Sequence, residues 1–295
     1  VKVFDNVSAL VGNTPLVKLN SLSRDDVVIY GKLEGHNPGG SVKDRAAQNM
    51  IRGAQGRGEL TPGSKLIEAT SGNTGIALAM IARAQGIDIE LVMPENSTAE
   101  RVQTMRAYGA TVTLTPAEKT IEGSIDYARH KVEHEGFVML NQFANPDNYR
   151  AHYQTTGPEI WRDTAGKITH FVSSMGTTGT IMGTSRYLKE QDKQVQIIGV
   201  QPTEGSNIPG IRRWSPEYLP AIFEPERVDQ IIDVSQDEAV HMARKLARDE
   251  GVFAGMSSGG SATAAHKLAQ TLERGVIVCI ICDRGDRYLS SNLFG

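Results

Sequence analysis

The sequence predicts an α/β fold of open, mostly parallel sheets flanked by helices. Short β-rich runs alternate with helical patterns along almost the whole chain, the order that builds parallel sheet with helical crossovers. The run Val276-Ile277-Val278-Cys279-Ile280-Ile281 is apolar without interruption, as suits a strand buried on both faces. Loops rich in Gly, Ser and Thr fall between strands and helices. Such sheets bind ligands there, beyond the carboxyl ends of their strands.

The elements follow in order. Residues 27–33 read as a strand, and the turn-forming run Asn37-Pro38-Gly39-Gly40 empties into a helix. Ser41 is placed as its N-cap, with Asp44 in a capping-box-like position. Val42, Ala46, Ala47, Met50, Ile51 and Ala54 then recur at helical spacing. Strands are expected at 65–69, 87–93, 111–114 and 137–140, with helices at 75–85, 99–108 and 120–134. Pro146 interrupts, a helix over 148–161 leads to a strand at 169–174, and a helix at 181–190 precedes a strand at 195–200. A loop then carries Pro202, Pro209, Pro216, Pro220 and Pro225. A strand at 231–234, helices at 237–250 and 261–272, and a strand at 276–281 finish the chain.

Composition bounds what such a fold does. At 295 residues, 39% of them hydrophobic, the chain has material for one large or two intimate domains. Its net charge of −3 and lack of a basic block argue against nucleic acid or a membrane surface as partner. No apolar run approaches the ~20 residues needed to span a bilayer. Residues 1–10 hold no signal-peptide core. The two cysteines, Cys279 and Cys282, share one apolar run, so a disulfide scaffold is excluded and a cytoplasmic location is expected.

Lys43 sits in the first turn of its helix, where the dipole costs a cation a few tenths to ~1 kcal/mol. The same field favours the neutral amine, as a Schiff-base lysine requires. On local sequence alone a lysine reaching solvent from a surface helix is the simpler reading. The loop Thr70-Ser71-Gly72-Asn73-Thr74-Gly75 offers hydroxyls, an amide and free N–H groups to a carboxylate, or a tight capped turn. Ser173 to Thr180 makes a nest of N–H donors at a helix start, suited to a monoester phosphate, and meets neither nucleotide fingerprint. Gly255 to Gly260 is either a cap or a neutral hydroxyl for a ring nitrogen. His130 and His134, at i and i+4 on a charged helix, lack a third ligand and read as a solvated face, so no metal is expected. The odd spacing of Cys279 and Cys282 sends their side chains to opposite faces of a strand. There is no G-x-S-x-G elbow.

A Schiff-base lysine, a phosphate cradle and a hydroxyl loop together suggest pyridoxal phosphate. The chain resembles the cysteine synthases, pyridoxal-phosphate enzymes of the tryptophan-synthase-β-like group (fold type II). The resemblance rests on Gly12-Asn13-Thr14-Pro15-Leu16, Gly40-Ser41-Val42-Lys43-Asp44-Arg45, Thr70 to Gly75, Gly176-Thr177-Thr178-Gly179-Thr180 and Gly255-Met256-Ser257-Ser258-Gly259, in the family's order across nearly all of the chain. The runs from Ile208 to Trp214 and Ile281 to Tyr288 look like the B branch of that family.

The resemblance implies a larger cofactor-binding domain of residues 1–36 and 147–295, and a smaller mobile one, 37–146, that closes over substrate. It implies that Lys43 holds the cofactor and shuttles the α-proton, that Asn73 bonds the ring hydroxyl, and that Gly176, Thr177, Thr178, Gly179 and Thr180 cradle the phosphate. Ser257 would meet the pyridine nitrogen, and Thr70, Ser71, Gly72, Thr74 and Gln142 would grip the substrate carboxylate. A neutral hydroxyl at that nitrogen makes a weaker electron sink and favours β-elimination over transamination. The implied reaction is ping-pong β-replacement: O-acetyl-L-serine loses acetate, then sulfide or thiosulfate adds to give L-cysteine or S-sulfocysteine. Arg212 and Arg213 suit thiosulfate as guanidinium partners of an oxyanion, or are solvated arginines on a proline-rich loop. A homodimer is implied as well. The alternatives are a cystathionine β-synthase-like or serine/threonine dehydratase activity on the same scaffold, or a binding protein that kept the fold and lost catalysis.

Overall fold

The computed structural model describes residues 3–295. Two strands come first, β1 (Leu16–Lys18) and β2 (Val27–Leu33). The chain continues through α1 (Lys43–Gly56), β3 (Lys65–Ala69), α2 (Asn73–Ala84), β4 (Asp88–Pro94), α3 (Ala99–Ala107), β5 (Thr111–Thr115) and α4 (Thr120–Glu135). A helical run follows, α5 (Pro146–Ala151) and α6 (Gly157–Asp163), joined by a π turn over His152–Thr156. Then come β6 (His170–Ser174), α7 (Gly179–Gln191), β7 (Gln196–Pro202), β8 (Gln230–Val234), α8 (Gln236–Glu250), α9 (Met256–Ala269) and β9 (Gly275–Ile281).

These elements form two compact units. One contains Gly12–Val42 and Tyr149–Gly295, the other Lys43–Asn148 and the N-terminal residues through Val11. The domain boundaries expected from sequence put residues 1–36 in the larger unit, whereas the described residues up to Val11 pack with the smaller one. The reason is local: the 3₁₀ turn Val7–Leu10 lies against α2, and Gln48 Nε2 donates to the Ser8 carbonyl at 2.6 Å.

In the larger unit the sheet order is β1-β2-β9-β6-β7-β8, parallel throughout except for β1, which runs antiparallel to β2. Sequence reading missed β1, a three-residue edge strand. Along β9 the side chains alternate between two cores. Ile277, Cys279 and Ile281 join α8 and α9, while Val278 and Ile280, with Cys282 beyond the strand end, join α6 and α7. The two cysteines do face opposite ways, and helices cover both faces, which is why this strand tolerates no polar residue. Ser235 and Glu238 start α8 with a reciprocal capping box at 3.2 and 2.8 Å.

In the smaller unit β3, β4 and β5 pair in parallel. Every residue of α2 from Thr74 to Ala82 is buried. Its core joins α1, α2 and one face of the strands, and Ile67, Ala69 and Val92 pack with Ala128 of α4 on the other.

Four local expectations are corrected. Residues 137–140 make no strand, only a bridge of Val138 to Leu66, because the chain turns away at Asn141, whose φ is +53°. Pro146 opens α5 instead of interrupting it, since the first helical turn leaves its N–H groups unpaired anyway. The last helix starts at Met256, not at 261, drawing the glycine-rich loop into its first turn. Ser41 is not the residue before α1, which begins at Lys43. It forms a bridge with Asp283, and its carbonyl accepts from Asn37 Nδ2 at 3.1 Å.

Candidate active site

Lys43 is the first residue of α1, half-buried, so its amine stands where the helix dipole is positive. Asn73 is likewise the first residue of α2. The loop between β3 and α2 is tied at both ends: Thr70 N donates to the Val92 carbonyl at 3.0 Å, and Gly72 N donates to Thr70 Oγ1 at 3.3 Å. A Cβ at Gly75 would stand 2.7 Å from Met105 Cε and 3.0 Å from Thr70 Cγ2, so glycine there lets α2 close on α3 and on the loop. Thr74 Oγ1 donates to Gln142 Oε1 at 2.7 Å, both residues buried. With its oxygen so engaged, the Gln142 amide presents its NH₂ edge, the donor edge a carboxylate requires. Thr70, Ser71 and Gly72 form the loop, Thr74 follows in the first turn of α2, and Gln142 is brought to Thr74 from the turn at 141–144.

In the larger unit β6 ends at Ser174 and the chain reaches α7 through Met175 to Thr178. Thr178 has φ +68°, in the left-handed region that a β-branched residue rarely enters. Its Oγ1 is buried and without a hydrogen-bond partner. Thr177 Oγ1 accepts from Gly179 N at 3.4 Å, and Thr180 Oγ1 lies 3.4 Å from Nε2 of buried His152 on the π turn. The Gly176 carbonyl accepts from Trp214 Nε1 at 2.8 Å, and a Cβ at Gly176 would stand 2.6 Å from the Gly210 carbonyl oxygen. Gly210, at φ +91°, would in turn place a Cβ 3.4 Å from Ser257 Oγ. Gly176 and Ser257 are thus drawn to the same glycine. Ser257 lies buried in the first turn of α9, its carbonyl held by Ser174 Oγ at 2.9 Å.

Arg212 is exposed, its guanidinium over the Trp214 ring at 5.3 Å. Arg213 is engaged elsewhere, with Asp233 at 2.6 Å and the Pro202 carbonyl at 2.9 Å. Burial pushes the Cys279 thiol up to about 12, so it stays protonated and inert. His130 and His134 stack at 4.3 Å on an exposed helix face.

The residues present fit a phosphate monoester. An orphaned buried hydroxyl, strained backbone and the N-terminus of a thirteen-residue helix converge on one loop, a costly arrangement that an anion would satisfy. A buried neutral hydroxyl on α9, near the same glycine, fits an aromatic nitrogen. In the smaller unit, Lys43 and Asn73 place an amine and an amide at the starts of two helices.

Sequence reasoning missed three contributors. Trp214 had been only part of a motif; an indole N–H beside glycine loops was its signal. His152, a lone histidine in a helical run, carried none. Glu68 did carry one, as a carboxylate directly after Leu66 and Ile67 in a strand, and it accepts from Asn141 N at 3.1 Å.

Comparison with known proteins sharpens this picture. The sequence profile of the family described as pyridoxal-phosphate dependent enzyme matches residues 7–283. The cysteine synthase B of Pseudomonas aeruginosa is 58% identical over 99% of this chain and 98% of that protein. The cysteine synthase B of Salmonella typhimurium is 57% identical over 97% of this chain and 94% of its own length. The crystal structure of a cysteine synthase from Entamoeba histolytica superposes with a TM-score of 0.94 at 37% identity, covering 99% of this chain and 91% of that one.

Proposed function

The chain belongs to the pyridoxal-phosphate dependent enzymes, and we propose that it is a cysteine synthase of the B branch, using pyridoxal phosphate to convert O-acetyl-L-serine and sulfide to L-cysteine and acetate. The observation that carries the proposal is the 58% identity over nearly the full length of a cysteine synthase B.

When bound, the cofactor supplies an electron-withdrawing ring that acidifies the substrate α-proton and lets a β-substituent leave. The chain's own residues do the rest. Lys43 Nζ would hold the cofactor at its aldehyde and, with substrate bound, would serve as the base for the α-proton. Its place at the start of α1 sets that amine at the positive end of the helix dipole, a field that disfavours a cation. Gly176 to Thr180 bind the phosphate, with the Thr178 hydroxyl as donor. Ser257 would offer its hydroxyl to the ring nitrogen, a neutral partner that does not favour a full positive charge there. Asn73 donates to the ring hydroxyl. Thr70, Ser71, Gly72 and Thr74, with the NH₂ edge of Gln142, orient the substrate carboxylate.

Use of thiosulfate as a second sulfur donor is supported by Arg212. Of the two adjacent arginines only Arg213 is paired with a carboxylate, and the Trp214 ring under Arg212 also bonds Gly176 of the cradle. Arg212→Ala should lower kcat/KM for thiosulfate about tenfold, the value of one lost charge-assisted contact, with little effect on sulfide. Equal losses with both donors would remove the oxyanion site. A homodimer is supported by exposed Val3, Phe4, Val7 and Leu10, apolar surface a second copy would cover. Among the described residues no helix is long and apolar enough to cross a membrane, and a cytoplasmic location accords with two buried free thiols.

A spectral titration tests the whole proposal. O-acetyl-L-serine should shift the holoenzyme's visible cofactor band, and sulfide should restore it as cysteine accumulates. Product formed from serine and homocysteine instead would favour the cystathionine-forming alternative. Borohydride reduction followed by peptide mapping should place the label on Lys43.

A further inference from the structure

Glu68 lies on β3, two residues before the substrate loop opens at Thr70, and is buried at 6% exposure. A carboxylate in that setting is expensive, and burial pushes its pKa up to about 7, partly offset by the N–H groups of Asn141 and Leu140. For stability alone an apolar residue would serve better here, since Leu66, Ile67 and Ala69 fill the buried strand positions around it. A group kept at a cost is expected where function requires it.

The contacts show what it holds. Glu68 Oε2 accepts from Asn141 N at 3.1 Å, at the residue whose φ of +53° turns the chain. That turn is held on its other side as well: Asn145 Nδ2 donates to the Leu140 carbonyl and Asn148 Nδ2 to the Gln142 carbonyl, both at 2.8 Å. The next side chain, Gln142, then meets Thr74 Oγ1 at 2.7 Å. One carboxylate on the strand that leads into the substrate loop thus fixes the turn that presents Gln142 to that loop.

We propose that Glu68 is a positioning residue for substrate binding: it fixes the left-handed turn at Asn141 so that the Gln142 amide points its NH₂ edge at the substrate carboxylate. The inference rests on the proposed role of Gln142. Because Glu68 acts through the turn at Asn141, its loss should act on binding of the amino acid and leave the proton transfer at Lys43 alone.

Steady-state kinetics with O-acetyl-L-serine and sulfide on the wild type, Glu68→Gln, Gln142→Ala and the double variant test this, with a melting temperature at pH 8 for each holoenzyme. Glu68→Gln keeps shape but turns an NH₂ toward a donor. It should raise KM for O-acetyl-L-serine about tenfold, as loss of a hydrogen bond to a charged group does, with kcat within about threefold and no fall in melting temperature. Combined with Gln142→Ala it should add less than about twofold, because both act through one contact. Glu68→Asp, which keeps the charge but withdraws it by one methylene, should raise KM as well. A raised KM in Gln142→Ala with an unchanged KM in Glu68→Gln overturns the positioning role and leaves the Gln142 reading standing. An unchanged KM in Gln142→Ala overturns both. A parallel fall of kcat and melting temperature in the two Glu68 variants would make the residue a scaffold only.

Discussion

Thr178 and Glu68 are both held at a cost, and each cost makes a prediction. Thr178 combines a φ of +68° with a buried, unpartnered hydroxyl, strain that persists only where surrounding structure or a ligand over-determines it. Thr178→Val keeps the branching and the backbone strain and removes only the donor. It should weaken cofactor binding about tenfold, the value of one hydrogen bond to a charged group, read by titrating the apoenzyme with pyridoxal phosphate. Glu68 makes a prediction in pH. Its pKa is raised from 4.5 to about 7 in the folded protein. The folded state therefore holds this proton more tightly than the unfolded chain, and the associated stability is fully present below pH 4.5. It is lost as pH rises through 7, a difference of about 3 kcal/mol across that window. Denaturation of wild type and Glu68→Gln from pH 4.5 to 8 should show the wild type losing ground relative to the variant; parallel curves would mean that the carboxyl ionises normally. Neither residue's importance was legible beforehand in full. Thr178 stood in a hydroxyl-rich loop and was expected to bind phosphate, but its dihedral is invisible in a string of letters. The turn that Glu68 holds is 73 positions away in the chain, beyond the reach of any local pattern.

Among the elements, α8 and α9 pack with no room between them. A Cβ at Gly259 would overlap the carbonyl oxygen of Ala239 and approach Ala243 N at 2.9 Å. Backbone cannot yield as a side-chain tip does, so Gly259→Ala should cost about 3 kcal/mol, at the upper end of overpacking effects, and should also weaken cofactor affinity, since Ser257 lies two residues earlier on the same helix. Urea denaturation checks the first and cofactor titration the second; a neutral effect on stability would mean that the two helices separate freely. Element types and most boundaries were legible, because 3.6- and 2-residue periodicities are local properties. Errors fell where tertiary contacts override local preference. Residues 137–140 have strand-like composition yet make one bridge, because the turn held by Glu68 ends the pairing. The last helix reaches back through Gly259 and Gly260 to Met256 despite their poor propensity, because that crossing admits only glycine.

For the whole molecule, binding energy and folding energy are linked. A cofactor that binds only the folded chain stabilises it by about 2.7 kcal/mol at a hundredfold excess over Kd. Removing pyridoxal phosphate should therefore lower the melting temperature by about 5 °C for a chain of this size, and restoring it should reverse the loss. An apoenzyme that melts with the holoenzyme would argue that the cradle is not built for this group. The sheet of the larger unit shows what chain order hides: β2 pairs with β9, so that Ile29 sits against Ile277.

The sequence by itself determined the fold class, most of the strands and helices, and the glycine- and hydroxyl-rich loops at strand ends, because periodicity, glycine placement and helix-start residues act over a few positions at a time. Its motif runs also pointed to the cofactor and the reaction class before any coordinates. Only the tertiary structure decided which hydroxyl is left without a partner, which arginine of an adjacent pair is already engaged, and which carboxylate aims Gln142. Those outcomes depend on groups far apart in the chain competing for the same hydrogen bonds, and burial, which makes each unmet bond costly, exists only once the chain has packed.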